Sequence, residues 1–199
     1  NATDPDLPAN TLTYSVTGAP TGMVMNPNSG AATWTPSEAQ GPGVYTVTVT
    51  VRDNGSPQLQ DSQVLTITVG EVNTAPVLAT IAPQSVDEGT QLQFYSNATD
   101  ADLPANTFAY SLIGAPAGMT IDSTTGTVKW TPTEAQGPAV TSVTVVVKDD
   151  GNPVLQDSQL VQITVREVNL PPVLVKIGNK AVDEQTMLSF TAGATDPDL

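Results

Sequence analysis

Oxygen-bearing side chains recur at a fixed interval along this chain. The segment ATDADLPAN (98–106) places Asp100, Asp102 and Asn106 close together, just before residues whose pattern predicts a strand. Nearly the same letters open the chain in ATDPDLPAN (2–10) and return near its end in ATDPDL (194–199). Carboxylate and amide oxygens are the ligands that Ca²⁺ and Mg²⁺ prefer. The spacing therefore points to a cation site that is repeated along the chain.

The composition excludes several other kinds of chemistry. The chain has 199 residues, with no cysteine and no histidine, and its 20 acidic and 6 basic residues give a formal net charge of -14. Catalytic triads that need His or Cys are excluded, as are zinc and copper sites built from nitrogen and sulfur. Binding to nucleic acid or to anionic membranes is disfavoured because Lys and Arg, which bind phosphate, are scarce. We also expect no membrane insertion, because no apolar run is long enough to span a bilayer.

The chain is a tandem repeat. Trp34 and Trp130 lie 96 positions apart, and the same shift places TPSEAQGP (35–42) on TPTEAQGP (131–138) and EVN (71–73) on EVN (167–169). Self-similarity at one fixed period indicates an array of one module. A module of this length fits one β-sandwich domain.

The periodicity within the module is that of β-strands. VYTVTVTVRD (44–53) and SVTVVVKDD (142–150) set Val at alternate positions, and 17 prolines with 15 glycines divide the chain into short pieces. The sequence predicts an all-β fold of tandem, seven-stranded, Greek-key β-sandwiches of immunoglobulin type, arranged end to end in a rod. Trp130 and Tyr110 are predicted in the core. The seven strands of the complete module are predicted near 77–81, 90–96, 107–113, 119–121, 126–131, 140–149 and 158–166.

Turn residues separate these strands. The glycines of DNG (53–55), DDG (149–151), NSG (28–30) and TTG (124–126) are each predicted to take a positive φ. The linker EVNTAPVL (71–78) has hardly a spare residue, and Pro76 stiffens it.

Three domains are predicted from this repeat. Residues 1–72 form a repeat without its first two strands, 73–169 a complete repeat, and 170–199 the first two strands of a third. Either the chain is a slice of a longer array, or the tail of one chain completes the head of another by donating strands.

The oxygen-bearing residues of the complete module are predicted to meet at one pole. Asp100, Asp102 and Asn106 follow the second predicted strand, Asp149 lies at the tip of a hairpin, and the linker residues 71–73 arrive at the same end. Five or six oxygens converging there would suit Ca²⁺. The alternative is that these Asp and Asn residues only form turns, which their side chains stabilise without a cation.

These segments resemble a known family. DADLPAN (100–106) resembles the D-x-D…N segment of cadherin repeats, and VKDDG (147–151), VDEG (86–89) and EVNTAP (71–76) resemble their D-x-G turn, early Glu segment and linker. The whole chain is similar to the cadherin-like, immunoglobulin-like tandem repeats of very large bacterial surface and secreted proteins.

The resemblance implies two sets of Ca²⁺ ligands. The first set is Glu38, Glu71, Asn73, Asp100, Asp102, Asn106 and Asp149. The second set is Glu88, Glu134, Glu167, Asn169, Asp196 and Asp198. This linker lacks the second Asp-Asn of the cadherin linker, and T-P-x-E replaces the D-R-E motif, so we expect one or two ions at each junction rather than the larger number in animal cadherins.

The predicted function is structural and adhesive. We expect a calcium-rigidified spacer or surface fibre, extracellular or on the cell surface, whose partners are other copies of the chain and an unidentified adhesive target. The chain is not expected to be an enzyme, because the carboxylate pair Asp100 and Asp102 that could hydrolyse a glycoside is duplicated in the next repeat. The alternative is a carbohydrate-binding repeat module, which would need an exposed aromatic platform.

Overall fold

The computed structural model describes residues 2–5 and 9–198, which belong to two compact units. The first unit comprises Asn1–Thr74 with Asp100–Asn106, and the second comprises Ala75–Thr99 with Thr107–Leu199. Asn1, residues 6–8 of the opening motif and Leu199 lie outside the described residues. The predicted domain limits at 72/73 and 169/170 stay predictions.

The first unit is built on one long β-hairpin. A three-stranded sheet has the order β1-β4-β5, and a separate pair joins β2 to β3. Its elements are β1 (Thr13–Thr17), β2 (Val24–Met25), β3 (Ala32–Thr33), a 3-10 helix (Glu38–Gln40), β4 (Gly43–Arg52) and β5 (Gln60–Val69).

The second unit repeats this plan and adds strands to it. A four-stranded sheet has the order β10-β13-β14-β7, a three-stranded sheet has the order β11-β12-β8, and two further pairs join β6 to β9 and β15 to β16. Its elements are β6 (Val77–Leu78), β7 (Gln84–Asp87), β8 (Leu92–Tyr95), β9 (Ala98–Thr99), β10 (Ala109–Ile113), β11 (Thr120–Ile121), β12 (Thr127–Trp130), a 3-10 helix (Glu134–Gln136), β13 (Ala139–Lys148), β14 (Gln156–Arg166), β15 (Val173–Leu174) and β16 (Ala194–Thr195).

The core of the second unit follows from the alternation of Val along β13. Val143, Val145 and Val147 share one face of the strand and are buried together with Trp130 and Tyr110. The indole of Trp130 donates a hydrogen bond to the carbonyl of Ala117 (3.1 Å), so its burial leaves no unpaired N–H. The predictions of an all-β sandwich and of a core around Trp130 and Tyr110 are confirmed.

Two strands and two helical turns were not expected from the sequence. Strand β7 pairs in parallel with the end of β14, from Ile163 opposite Gln84 to Arg166 opposite Asp87. The second unexpected strand is the two-residue β9, which pairs with β6. Each of these strands has four residues or fewer, which is too short to show a periodic pattern in the sequence. Both are held by partners distant in the sequence.

Two of the four turn glycines take the predicted positive φ, and two do not. Gly30 (φ 69°) and Gly126 (φ 67°) take the predicted positive φ. The same prediction is wrong for Gly55 and Gly151, which are not among the described glycines with positive φ. There the preceding aspartate stabilises a longer loop: Asp149 Oδ1 accepts hydrogen bonds from the backbone N–H of Gly151 (3.1 Å) and Leu155 (2.9 Å).

Among the described residues, both helices are single 3-10 turns, and neither approaches the length and apolar character needed to cross a membrane.

Candidate metal centre

Two groups of three carboxylates lie close together, one in each unit. The first acidic cluster is Glu38, Glu71 and Asp102, and the second acidic cluster is Glu88, Glu134 and Glu167. Within each cluster, one carboxylate oxygen from each residue lies within 4.8 Å of the others. Three like charges this close repel one another, by about 1 kcal/mol for a pair at 4 Å in water and by more where water is partly excluded.

Asp102 is the buried member of the first acidic cluster. It is 3% exposed, and its carboxylate accepts hydrogen bonds from the backbone N–H (3.0 Å) and hydroxyl (2.6 Å) of Thr74. The side-chain amide of Asn106 donates a third hydrogen bond (2.9 Å). These donors, the Thr74 hydroxyl foremost, lower the pKa of Asp102 despite its partial desolvation. Asp102 is therefore held as a carboxylate.

Glu38 and Glu71 flank the open end of one hairpin, where Gly43 at the start of β4 pairs with Val69 at the end of β5. Glu38 begins the 3-10 helix that precedes β4, and its Oε1 accepts a hydrogen bond from the backbone N–H of Leu103 (2.9 Å). Glu71 lies two residues beyond the end of β5. Desolvation, and then the charges of Glu38 and Asp102, raise the pKa of Glu71. The repulsion expected within the first acidic cluster therefore contributes to the raised pKa of Glu71.

The other predicted members of the first set surround Asp102. Asp100 Oδ1 accepts a hydrogen bond from the backbone N–H of Asp102 (3.0 Å), and Asn106 Nδ2 donates to Asn73 Oδ1 (2.9 Å). Asp100 Oδ2 is shielded from solvent and receives no hydrogen bond. The first unit thus brings together Glu38, Glu71, Asn73, Asp100, Asp102 and Asn106.

Glu88 is the buried member of the second acidic cluster. It directly follows β7, is 5% exposed, and its Oε1 accepts a hydrogen bond from the backbone N–H of Val168 (2.8 Å). Its second oxygen, Oε2, is buried and receives no hydrogen bond. A buried carboxylate oxygen without a donor is costly unless a cation or a proton compensates for it.

The two carboxylates beside Glu88 also lie in unfavourable surroundings. Glu134 Oε1 is also shielded from solvent and receives no hydrogen bond. Desolvation and the charges of Glu88 and Asp198 raise the pKa of Glu134. Desolvation and the charges of Glu88, Glu134 and Asp198 raise the pKa of Glu167. A proton shared between two of these carboxylates would relieve the repulsion at low pH, and a cation would do so at neutral pH.

The remaining predicted residues of the second set lie along the chain that follows β14. Asp198 accepts a hydrogen bond from the backbone N–H of Leu170 (2.9 Å), and Asp196 Oδ1 accepts one from the backbone N–H of Asp198 (3.1 Å). The side-chain amide of Asn169 lies 3.5 Å from the carbonyl oxygen of Leu170. Asp198 also raises the pKa values of Glu134 and Glu167 through its charge.

Asp149 stabilises its own loop by accepting hydrogen bonds from the backbone. Its Oδ1 is engaged by two backbone N–H groups, and the residue is 5% exposed. Turn formation, the alternative considered for the acidic residues, therefore describes part of what Asp149 does. Its assignment as a metal ligand stays a prediction.

Sequence reasoning missed two contributors to these clusters. One is Thr74, which holds Asp102 through two donors. The other is Gly137, where an added Cβ would collide with Glu88 Oε2. Gly137 has φ −126° and ψ 161°, which any residue can adopt, so it is the close approach of Glu88, and not the backbone, that disfavours a side chain here. Its recurrence in EAQGP at Gly41 and Gly137 is the sequence signal that could have found it.

The donor set restricts what the clusters can bind. Every member offers oxygen, the charge is strongly negative, and the chain has no nitrogen or sulfur ligand from His or Cys. Hard divalent cations such as Ca²⁺ accept such ligands, and the orphaned Glu88 oxygen fits a cation as its partner. The residues present therefore fit the ion that the resemblance to cadherin repeats implies.

Relatives of the chain are adhesion-type proteins. The protocadherin-like wing polarity protein stan of Drosophila melanogaster is 30% identical over 193 residues, covering 86% of this chain and 5% of the relative. The serine-rich adhesin for platelets of Staphylococcus aureus (strain MRSA252) is 31% identical over 148 residues, covering 74% of this chain and 10% of the relative. The chain thus spans a tenth or less of these relatives, and an extracellular or cell-surface location agrees with them.

Solved structures of cadherins share the fold. Human CDH23 EC21-23 superimposes with a TM-score of 0.59 at 22% identity, covering 96% of this chain and 74% of that structure. Drosophila N-cadherin EC1-4 gives a TM-score of 0.55 at 21% identity, covering 78% and 41%. These likenesses establish a cadherin-like and Ig-like sandwich.

One known protein family matches both copies of the module. The family described as "Putative Ig domain" matches residues 1–70 and again 75–166, so the two copies found by the 96-residue shift are two copies of one known module. The prediction that the chain is not an enzyme agrees with this family and with the adhesin and protocadherin-like relatives. With two matched modules, cadherin-like structural neighbours and adhesin relatives, this chain belongs to the Putative Ig domain family of cadherin-like and Ig-like repeats.

Proposed function

We propose that the chain is a calcium-binding repeat segment of an extracellular adhesive or surface protein, in which Ca²⁺ stiffens the array. The observation that carries the proposal is the buried Oε2 of Glu88, which receives no hydrogen bond and lies beside Glu134 and Glu167. Burying that oxygen among like charges is costly, and a bound cation would compensate for the cost at neutral pH.

The chemistry of the second acidic cluster supports Ca²⁺ as the occupant. Ca²⁺ takes six to eight oxygen ligands, and three carboxylates with carbonyl or water oxygens supply such a shell. The proposed ligands at this site are Glu88, Glu134, Glu167, Asn169, Asp196 and Asp198. A bound ion would neutralise the repulsion that raises the pKa values of Glu134 and Glu167.

The first acidic cluster is the proposed second site. Its members Glu38 and Glu71 are exposed, and its buried member Asp102 is already satisfied by three donors. Asn73, Asp100, Asn106 and Asp149 complete the proposed ligand set. We expect weaker binding here, because the hydrogen bonds to Asp102 must compete with the ion.

Calcium would act on the array by mass action. Extracellular modules of this kind typically bind Ca²⁺ with dissociation constants of roughly 10⁻⁴ to 10⁻³ M. At a free concentration ten times the dissociation constant, binding would stabilise the folded state by about 1.4 kcal/mol. The family matches end at residue 70 and resume at 75, which supports the proposed domain limits 1–72, 73–169 and 170–199.

The proposed biological role is that of a spacer or surface fibre. Its relatives include an adhesin for platelets and a protocadherin-like protein, which supports adhesion without identifying a target. We include in the proposal that copies associate head to tail by strand complementation. A carbohydrate-binding module is not favoured, because Trp130 is buried in the core and Trp34 packs edge-on against Tyr45, so neither tryptophan offers a free platform for a sugar.

Thermal unfolding with and without Ca²⁺ tests the calcium proposal. The unfolding midpoint should rise by about 3–6 °C between EDTA and saturating Ca²⁺. Glu88→Gln should remove most of that rise, and in EDTA it should be at least as stable as the parent because one of three repelling charges is gone.

Asp122→Asn is the matched control for the loss of one charge outside both clusters. Asp122 Oδ1 accepts backbone hydrogen bonds from Thr124 (2.9 Å) and Thr125 (2.8 Å), and its counterpart Asn26 accepts the same pair of bonds in the first unit. The control should keep the full calcium response. An unchanged midpoint for the parent, or an equal calcium response in Glu88→Gln, would contradict the proposed site.

A further inference from the structure

The second unit has a pocket beside its tryptophan. The pocket has a volume of about 360 Å³ and lies where Trp130, Gln136 and Thr141 approach one another. Prolines and small residues, Pro116 and Pro138 among them, form much of the remaining wall, and no charged side chain lines it among the described residues. Ligand pockets range from about 300 to 1,000 Å³, so this one suits a group of about the size of a single ring.

The first unit builds the same frame, which consists of the tryptophan, the 3-10 helix and the carbonyl to which both donate. In each unit, the indole N–H and the side-chain amide of the glutamine that ends the helix donate to one carbonyl. That carbonyl belongs to Thr21 in the first unit (3.2 and 3.0 Å) and to Ala117 in the second (3.1 and 3.2 Å). Both frames, 20–45 and 116–141, lie inside the two matched modules.

Tyr45 fills this frame in the first unit. Its ring packs edge-on against Trp34, with ring centroids 5.0 Å apart and an interplanar angle of 78°. Its hydroxyl donates a hydrogen bond to the backbone carbonyl of Gln40 (2.7 Å). The frame thus holds a phenol group through an aromatic contact on one side and a hydrogen-bond acceptor on the other.

The second unit has the frame without the phenol. A shift of 96 positions places Thr141 on Tyr45, and Thr141 is one of the residues that line the pocket. Thr141 has no ring to pack against Trp130, and no hydrogen bond joins it to the carbonyl of Gln136 among the described residues. The space that the ring occupies in the first unit is therefore open in the second.

One neighbouring residue differs as well. Gly43 in the first unit is replaced by Ala139 in the second. A Cβ at Gly43 would come within 3.2 Å of Tyr45 Cε2, which is a tight contact for a ring that fits fully into the frame. A phenol in the second unit would therefore sit slightly further from strand β13 than Tyr45 sits from β4.

We propose that this pocket binds the side chain of a tyrosine from a partner protein, with its ring against Trp130 and its hydroxyl donating to the carbonyl of Gln136. A protein is the proposed source because the occupant of the first frame is itself a tyrosine side chain on a polypeptide. The inference adds a binding site to the proposed adhesive role and uses no carboxylate of either acidic cluster.

Titration with p-cresol, which is the tyrosine side chain as a free molecule, tests the pocket. The chain has two tryptophans, so a ¹H–¹⁵N NMR spectrum of the full chain has two indole signals, one for each frame. The Trp130 signal should shift with a dissociation constant of about 1–10 mM, as expected for a ligand of this size. No shift up to the solubility limit of p-cresol would overturn the proposal.

Two further probes identify the group that binds. Toluene has the same ring and methyl group without the hydroxyl, and it should bind about 2–10-fold more weakly because the carbonyl of Gln136 then has no donor. N-acetyltyrosinamide should bind at least as tightly as p-cresol. Equal binding of toluene would overturn the assigned hydrogen bond. Binding of p-cresol without binding of N-acetyltyrosinamide would overturn a protein tyrosine as the occupant.

Thr141→Tyr combined with Ala139→Gly rebuilds the first frame in the second unit. The new ring should fill the pocket and abolish the response of Trp130 to p-cresol, whereas Ala139→Gly alone should keep the pocket open and bind p-cresol more tightly. The matched control is Thr164→Tyr, an exposed position on β14 between buried neighbours, which should bind p-cresol like the parent. A normal response in the filled variant would overturn the pocket as the place of binding.

Tyr45→Thr is the reciprocal change. It removes the ring from the first frame, so the Trp34 signal should respond to p-cresol as the Trp130 signal does. Failure of this variant to open a second site would overturn the comparison on which the proposal rests.

The response to p-cresol separates this inference from the calcium proposal. It should be the same in EDTA and in Ca²⁺, because no carboxylate lines the pocket. A chain without a calcium response that still binds p-cresol at Trp130 would support this site and contradict only the calcium sites.

Discussion

The two units carry nearly the same sequence but bury it to different extents. Val161 on β14 is 1% exposed, whereas its counterpart Leu65 on β5 is 41% exposed. Val143 and its counterpart Val47 differ little, at 1% and 2% exposed, but Val49 and Val51 on the same strand are only partly buried, whereas their counterparts Val145 and Val147 are fully buried. The difference therefore extends over the face that the segment 77–99 covers in the second unit. One position of the module can be core or surface according to a strand that lies far away in the sequence.

The largest expected difference between the units concerns their tryptophans. Trp130→Ala should cost about 3–5 kcal/mol, because the indole is 2% exposed and its removal leaves a large cavity. Trp34→Ala should cost less than half as much, because Trp34 is only partly buried and packs edge-on against Tyr45 with ring centroids 5.0 Å apart. Urea unfolding followed by circular dichroism measures both losses, and equal losses would contradict the comparison.

A smaller difference is expected at Gly137 and its counterpart Gly41. Gly137→Ala should destabilise by about 1–3 kcal/mol, because its Cβ meets Glu88 Oε2 and comes within 2.9 Å of Val165 Cγ1. Gly41→Ala should be nearly neutral in dilute solution, since the nearest atom to its Cβ is Val69 Cγ1 at 3.1 Å. Thermal unfolding at low protein concentration checks the pair. A cost for Gly41→Ala equal to that for Gly137→Ala would contradict the open space beside Gly41.

The smallest expected effect concerns acid stability at the turn before β12. Backbone hydrogen bonds from Thr125 and Thr124 lower the pKa of Asp122, so its contribution is present above the unfolded pKa and is lost as pH falls through the lowered folded value. Asp122→Asn should keep the turn, as Asn26 does, and leave stability at pH 7 nearly unchanged. Stability measured between pH 7 and pH 2 should fall less steeply in the variant. An unchanged slope would contradict the assigned pKa.

Glu88 and Asp149 show how much of the candidate site could be predicted from the sequence. Glu88 was assigned through resemblance to a cadherin segment, but its burial depends on β7, whose four residues carry no clear pattern and are held by parallel pairing with β14. Asp149 was placed correctly in the loop between the two long strands, but its hydrogen bonds to Gly151 and Leu155 were not expected. Sequence identified the acidic residues, and contacts between distant segments decided their surroundings.

The sequence by itself determined the module, its 96-residue period, its strand-forming alternation and the oxygen-only choice of ligands, because these depend on residue type and local spacing. Only the tertiary structure decided which oxygens lack a hydrogen bond, why a side chain at Gly137 would meet Glu88, and which copy of the module has a covered core. Those properties arise where strands and loops distant in sequence come into contact, and the free energy of burial depends on what the neighbouring segment leaves exposed to water.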